Sequence, residues 1–249
     1  MKPFLGAVLV MVIAAAAVGC PIGWIATEFA DAYAAFAPIY ALYAAYADVL
    51  FSGTDLAISP GLESACDAFS IEVARLHLAL LMQTGSIVVP VPRAMVRLRA
   101  GTDAFCEEHG ATLRVIGSAP SPDLSRVEEA SGAGLFAEIS EMNAILEEAF
   151  TEFYEAIDDE EARWRFAVAF VTRGLANRDE ASRIDANLAE VFYGGADRST
   201  PPFPVGAEVV AAMTSLIEHA GRDLTSSEWS EVRTLSDRIH AALVPEAAS

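Results

Sequence analysis

The most regular hydrophobic pattern lies in the second half of the chain. Between residues 135 and 157, apolar positions recur at alternating steps of mostly four and three, which is the spacing of one helix face. Glutamates decorate the rest of this stretch, so the helix is predicted to pack on one side and to meet water on the other. Its apolar positions are Leu135, Ile139, Met142, Leu146, Ala149, Phe153 and Ile157.

Helical periodicity also dominates the first half of the chain. Residues 22–51 carry aromatic side chains at steps of three and four, and Pro38 is expected to kink or split this helix. Residues 62–82 form a second predicted helix, with Cys66 and Phe69 on its apolar face. Three further apolar residues widen that face, so the end of this helix is expected to be buried almost all round. These residues are Leu78, Leu81 and Met82.

Residues 86–117 are the one region where the pattern favours strands. Two prolines and several valines predict an extended stretch at 86–92, and residues 111–117 read as a short strand. Between them, residues 93–109 are expected to form a helix that ends at Gly110, a suitable C′ residue. This order of elements is typical of a βαβ unit.

Four more helices are predicted from residue 160 onward, and the last of them has a strong start signal. One predicted helix runs from about 160 to 175, with Trp164, Val168, Val171 and Leu175 on one face, and another follows from about residue 181. Further helices are predicted after residue 205, the last beginning at a capping box, residues 225–228. We therefore predict a predominantly all-α, multi-helix bundle, with an optional short strand pair near residues 86–117.

The chain divides by composition into three parts. Residues 1–19 form a signal segment, residues 20–122 an Ala- and aromatic-rich helical part, and residues 123–249 an acidic helical part. A stretch rich in proline and serine, Ser118–Asp123, marks the boundary between the last two, which can also form one domain. The formal net charge is −19, and the third part alone carries 25 acidic residues and 10 arginines. Such a surface repels nucleic acids, so no nucleic-acid partner is expected.

The first twenty residues have the layout of a secretory signal. Lys2 precedes an apolar run of about 15 residues, which is shorter than a comfortable bilayer span, and small residues and Cys20 follow. The end of this segment, Ala17-Val18-Gly19-Cys20, resembles the lipobox of bacterial lipoproteins, although that family usually has leucine where Ala17 stands. The resemblance implies lipidation of Cys20 after cleavage before it. Cleavage after Ala16 or Ala17 by ordinary signal peptidase, an uncleaved anchor and a core helix remain as alternatives.

The chain contains three cysteines, Cys20, Cys66 and Cys106. Acylation of Cys20 would leave an even pair, which can form a disulfide in an oxidising compartment. The alternative is that Cys66 and Cys106 are two separate buried thiols.

No catalytic, cofactor or metal motif stands out in the sequence, so no catalytic residue, cofactor or metal ligand is predicted. Arg93 and Arg97 share a helix face and can contact an anion or a partner, or can pair with internal acids. The dense carboxylates between Glu138 and Glu161 offer ligands for a hard cation, but a solvated face is the preferred interpretation. Within this stretch, residues 158–161 are expected to cap the helix that follows.

These features predict a lipid-anchored or secreted protein on the extracytoplasmic side of the cell envelope. Its acidic domain is expected to bind a protein partner or ligand of unknown identity rather than to act as an enzyme. One alternative is an envelope enzyme or solute-binding protein whose site is assembled from distant residues. Another is a membrane protein with an N-terminal helical hairpin, in which residues 32–50 form the second span.

Overall fold

The structure confirms the all-α, multi-helix class. The computed structural model describes residues 21–52, 64–83, 88–117, 129 and 134–184. Five helices lie within these ranges, and no strand occurs among them. The signal segment, the linker Ser118–Asp123 and the helices predicted after residue 205 fall outside these residues. The helices are α1 (Pro21–Ser52), α2 (Ala65–Leu81), α3 (Arg93–Gly117), α4 (Leu135–Glu155) and α5 (Glu160–Ile184).

The first four helices form an antiparallel ring, in which each helix packs against the next and α4 packs against α1. Neighbouring helices of the ring run antiparallel, because residues later in one helix interact with residues earlier in the next. α5 packs beside α1 and runs in the same direction, since Gly23 faces Ala169 and Ala30 accepts a hydrogen bond from Asn177. The reversed pairs are Glu28 with Glu72 and Phe36 with Phe69, Cys66 with Cys106 and Ser70 with Asp103, Ala94 with Glu152 and His109 with Glu138, and Phe29 with Phe150 and Tyr46 with Phe136.

The apolar face predicted for α4 forms the centre of the core. All seven positions of the predicted face are buried, Phe153 among them, and the ring of Phe150 packs beside them. Phe150 lies 5.5 Å from Phe29 of α1 and 4.7 Å from Phe170 of α5, measured between ring centroids. One continuous cluster therefore joins helices from both sides of the linker at residues 118–123.

The βαβ prediction was wrong within the described residues. α3 continues through Gly110 to Gly117, and residues 88–92 form a connection without regular structure. The buried side chains of Leu113 and Ile116 extend the core-facing stripe of α3, so packing overrides the local strand preference of these residues. In the connection, the Gln83 amide accepts a hydrogen bond from the backbone N–H of Val89 and donates one to its carbonyl.

Gly110 offers a direct test of this correction. A Cβ atom added at Gly110 meets nothing within 4 Å, and its backbone does not adopt a positive φ. Gly110→Ala is therefore expected to raise the free energy of unfolding by about 0.5–1 kcal/mol, because alanine loses less backbone entropy in a helix. Urea unfolding would measure the change. A loss of similar size would instead indicate that Gly110 ends the helix in the left-handed conformation.

Two helix breaks that the sequence suggested do not occur. Pro38 was expected to kink or split the first helix, and α1 continues through it as one helix, because the buried side chains of Phe36 and Ile39 on either side hold this segment in the core. α5 continues to Ile184 as one helix, although two separate helices were expected here. Its start matches the predicted cap, since the Asp159 carboxylate accepts a hydrogen bond from the Ala162 amide at 2.7 Å.

The core-facing side of α5 differs from the predicted one. Trp164 and Val168 are half-buried, whereas the fully buried face follows Ala162, Phe166 and Phe170. The apolar pattern of this helix is broad, so periodicity alone could not select which side meets α1 and α4. The side chains of Val171 and Leu175 lie outside the described part.

The end of α2 is not buried all round as predicted. The expected inner face is buried at Cys66, Phe69 and three further positions, but the widening residues point away from the core. These residues, Leu78, Leu81 and Met82, are 53%, 61% and 42% exposed. No helix in the described part of the chain is long and apolar enough to cross a membrane.

Candidate functional site

Two of the residues singled out in the sequence are joined in the structure. Cys66 near the start of α2 and Cys106 in α3 form a disulfide, with their Cα atoms 5.4 Å apart. Both residues lie on helix sides that face each other, because α2 and α3 run antiparallel. The bond closes a loop with a sequence separation of 40 residues. Cys20 lies outside the described residues.

The two arginines predicted to contact an anion or partner lie at the start of α3. Arg97 forms two hydrogen bonds with the Glu148 carboxylate of α4, at 3.2 and 3.1 Å. Both side chains are about half exposed, so this ion pair contributes no more than about 1 kcal/mol. Arg97 therefore pairs with an acid inside the protein, which was the alternative to contact with an anion or a partner. Arg93 is exposed, and it forms no ion pair with any residue that the structure describes.

A cluster that the sequence did not reveal lies at the opposite end of the ring. His109 of α3 is buried, and its Nε2 atom lies 2.9 Å from the carboxylate of Glu138 in the first turn of α4. Glu108 also reaches this point, and one potential ligand atom from each residue lies within 4.8 Å of the others. Gly134 begins α4 with a φ of +86°, a conformation that favours glycine.

The chemistry of this cluster follows from its groups. An imidazole nitrogen and two carboxylate oxygens are ligands that divalent metal ions accept, and three ligands leave positions for water or a fourth ligand. The same hydrogen bond between His109 and Glu138 also has a structural role, since it joins α3 to α4. The residues are 29 positions apart, so only the packing of the helices brings them together.

A second polar cluster lies between α1 and α2. Glu28 accepts a hydrogen bond from the indole N–H of Trp24 at 2.8 Å, and it lies near Glu72 and Arg75. One oxygen of Glu28 and one of Glu72 are buried without a hydrogen-bond partner among the described residues. Burial raises the pKa of Glu28 above its ordinary value, and the charges of Asp31 and Glu72 add to this effect.

The raised pKa of Glu28 predicts a pH-dependent contribution to stability. Because the folded state favours the protonated carboxyl, this group stabilises the fold fully below pH 4.5, its ordinary pKa. That contribution is lost as the pH rises through the pKa of the folded state. Glu28→Gln mimics the protonated group and can still accept the Trp24 hydrogen bond. The variant is therefore expected to be more stable than the wild type at pH 7, with a difference that disappears below pH 4.5.

Asp103 provides a control of opposite sign. Hydrogen bonds from Ser70 and then Arg99, both at 2.7 Å, lower the pKa of Asp103 below its ordinary value of 3.8. Its contribution is present above that value and is lost as the pH falls through the folded pKa. Asp103→Asn should therefore destabilise the protein at pH 7. Thermal melting across pH 3–8 measures both variants: destabilisation by Glu28→Gln at pH 7 would contradict the Glu28 assignment, and stabilisation by Asp103→Asn would contradict the Asp103 assignment.

Comparisons with protein-family models, with curated proteins and with solved structures found no match to this chain.

Proposed function

We propose that this chain is a lipid-anchored protein of the cell envelope, with a disulfide-linked helical bundle on the extracytoplasmic side of the membrane. The observation that carries this proposal is the Cys66–Cys106 disulfide. Disulfides persist in oxidising compartments outside the cytosol and are rare within it. The first twenty residues also predict export, because they have the layout of a secretory signal. Two separate parts of the chain therefore support the same location.

The position of the first helix fits an anchor at Cys20. Pro21, the first described residue, already lies in α1, so a lipid on Cys20 would attach one residue away from the bundle. Diacylglycerol on this thiol would supply two acyl chains, whereas a single chain gives only marginal binding to a bilayer. The anchor would therefore hold the bundle close to the membrane surface.

Binding is the role that the surface of the bundle supports best. α4 and the start of α5 expose a dense set of carboxylates to solvent, which favours a partner with a basic surface. The mechanism would be tethering, in which the lipid fixes the location and the acidic surface selects the partner. The exposed carboxylates of this surface are Glu141, Glu147, Glu148, Glu155, Asp158, Asp159, Glu160 and Glu161.

Metabolic labelling with an alkyne fatty acid tests the anchor in a bacterium that processes lipoproteins. The wild-type protein is expected to incorporate the label, and Cys20→Ser is expected to lose it. A matched control, Cys66→Ser/Cys106→Ser, removes the other two thiols and should keep the label on Cys20. An unlabelled wild-type protein, or equal labelling of Cys20→Ser, would refute lipidation at this residue.

A further inference from the structure

One end of the ring carries nearly all of the large apolar side chains that are exposed in the described residues. At this end, called here the N-terminal end, α1 and α3 begin and α2 and α4 finish. Six of the seven exposed large hydrophobic residues lie there, and the seventh, Ile71, lies in the first half of α2, away from this end. The six residues, called the apolar rim, are Trp24, Leu78, Leu81, Met82, Val88 and Val96, with exposures of 42%, 53%, 61%, 42%, 76% and 53%.

The apolar rim is concentrated on one corner of this end. Leu81 and Met82 finish α2, Val88 lies in the connection, and Val96 lies in the first turn of α3. Trp24 lies beside this corner, since its indole N–H donates to Glu28, which faces α2. Isolated exposed apolar residues are ordinary on soluble proteins, whereas a group at one place marks an interaction surface.

We propose that the apolar rim rests on the bilayer surface to which Cys20 anchors the protein. This inference rests on the proposed function, because it takes the lipid on Cys20 as the anchor. Pro21, the residue after Cys20, already lies in α1, so the anchored acyl chains would hold the N-terminal end at the membrane. Exposed leucine, methionine and valine side chains can enter the boundary between headgroups and acyl chains, and tryptophan favours this boundary.

The charges around the rim fix the orientation further. Arg93 is exposed in the first turn of α3, beside the rim, where it can meet anionic headgroups, whereas Arg97 one turn later is paired with Glu148. The turn between α4 and α5 lies at the same end but carries four consecutive acidic residues, 158–161, all exposed. Anionic lipids repel this turn. The bundle therefore tilts, with the α2–α3 corner against the membrane and the α4–α5 turn in water.

Fluorescence quenching in vesicles tests this orientation with the lipidated full chain. The protein, with its lipid verified by mass, is reconstituted into phosphatidylethanolamine and phosphatidylglycerol vesicles that contain spin-labelled lipids. A bimane label at Leu81→Cys is expected to be quenched more than about twofold more strongly than one at Ala137→Cys, at the opposite end. A label at Asp158→Cys, at the same end but in the acidic turn, should resemble the Ala137→Cys label.

Three results would overturn the proposal. Equal, weak quenching at Leu81→Cys and Ala137→Cys in membrane-bound, lipidated protein would show that the rim does not contact lipid. Shielding of Leu81→Cys from iodide in detergent would show that another part of the chain covers it, if the shielding is independent of protein concentration. Shielding that grows with concentration would identify a second copy. A protein that carries no lipid would refute the proposed function and, with it, the orientation, because the lipid on Cys20 is what holds the N-terminal end at the membrane.

Label position is checked with a second rim residue. Val88→Cys lies in the connection outside the helices and is 76% exposed, so its label cannot disturb core packing. The proposal requires the same strong quenching there as at Leu81→Cys. Quenching at only one of the two positions would contradict a continuous contact of the rim with the membrane.

Discussion

Replacing Phe150 by alanine is expected to lower the free energy of unfolding by about 3–5 kcal/mol. The ring is 3% exposed and lies between three helices. It contacts Phe29 of α1 edge-on and lies 5.5 and 4.7 Å from Phe166 and Phe170 of α5. Alanine would remove these contacts and leave a cavity that the surrounding rings cannot fill without moving α5. Urea unfolding followed by circular dichroism would measure the loss.

An exposed substitution on α2 serves as the control for this prediction. Ile71 is 56% exposed, so Ile71→Ala should change the free energy of unfolding by no more than about 0.5 kcal/mol. If Phe150→Ala were as mild as Ile71→Ala, α5 would not pack on α1 and α4 as described. The core would then be confined to the other four helices.

Removal of the disulfide is expected to have an effect of similar size. Cys66→Ala/Cys106→Ala should lower the free energy of unfolding by about 4 kcal/mol, because the bond restricts a loop of 40 residues in the unfolded chain. The loss comes mainly from the greater entropy of the unfolded state, since α2 and α3 keep their other contacts. Unfolding curves of the oxidised wild type and of the variant give the difference.

Single variants and a reductant distinguish the stability that comes from the disulfide bond from the stability that comes from the packing of the two sulfur atoms. Cys66→Ala and Cys106→Ala alone should each cost nearly as much as the double variant, since either one breaks the bond. Dithiothreitol should lower the stability of the wild type and leave the double variant unchanged. Additive single losses and an inert reductant would mean that the thiols are unpaired, and the argument for an oxidising compartment would fail.

The sequence predicted helices well where one apolar stripe was flanked by charge. α4 is the best case, because its glutamates mark the side that meets water, and all seven predicted positions, including Ile157 just after the helix, are buried. α3 was predicted less well, since Gly110 and the residues after it favour a helix end and a strand locally. Only contact with the core, through Leu113 and Ile116, makes the helix continue. That contact is not a property of the local sequence.

Apolar character alone did not show which surfaces are buried. Leu78, Leu81 and Met82 were predicted to be buried because they widen the stripe of α2, yet they are exposed. The sequence could not distinguish a second buried face from an exposed interaction surface. This difference between expectation and structure is what identifies the apolar rim.

The polar clusters depend on distant residues and were therefore harder to predict. Counting cysteines indicated that Cys66 and Cys106 could pair, but only the antiparallel packing of α2 and α3 brings them together. His109 and Glu138 had no local motif, because α3 supplies Glu108 and His109 whereas Glu138 comes from α4, 29 positions after His109. Glu28 likewise gave no signal, since its raised pKa arises from burial between α1 and α2.

The mass of the N-terminal peptide of the mature protein tests the central claim most directly. The peptide would be isolated from membranes of expressing cells and compared with that of the Cys20→Ser variant. A peptide that begins at Cys20 and carries diacylglycerol on its sulfur, absent from the variant, is the predicted result. An unmodified peptide that begins near Val18, or one that retains Met1, would contradict the lipid anchor and the orientation inferred from it.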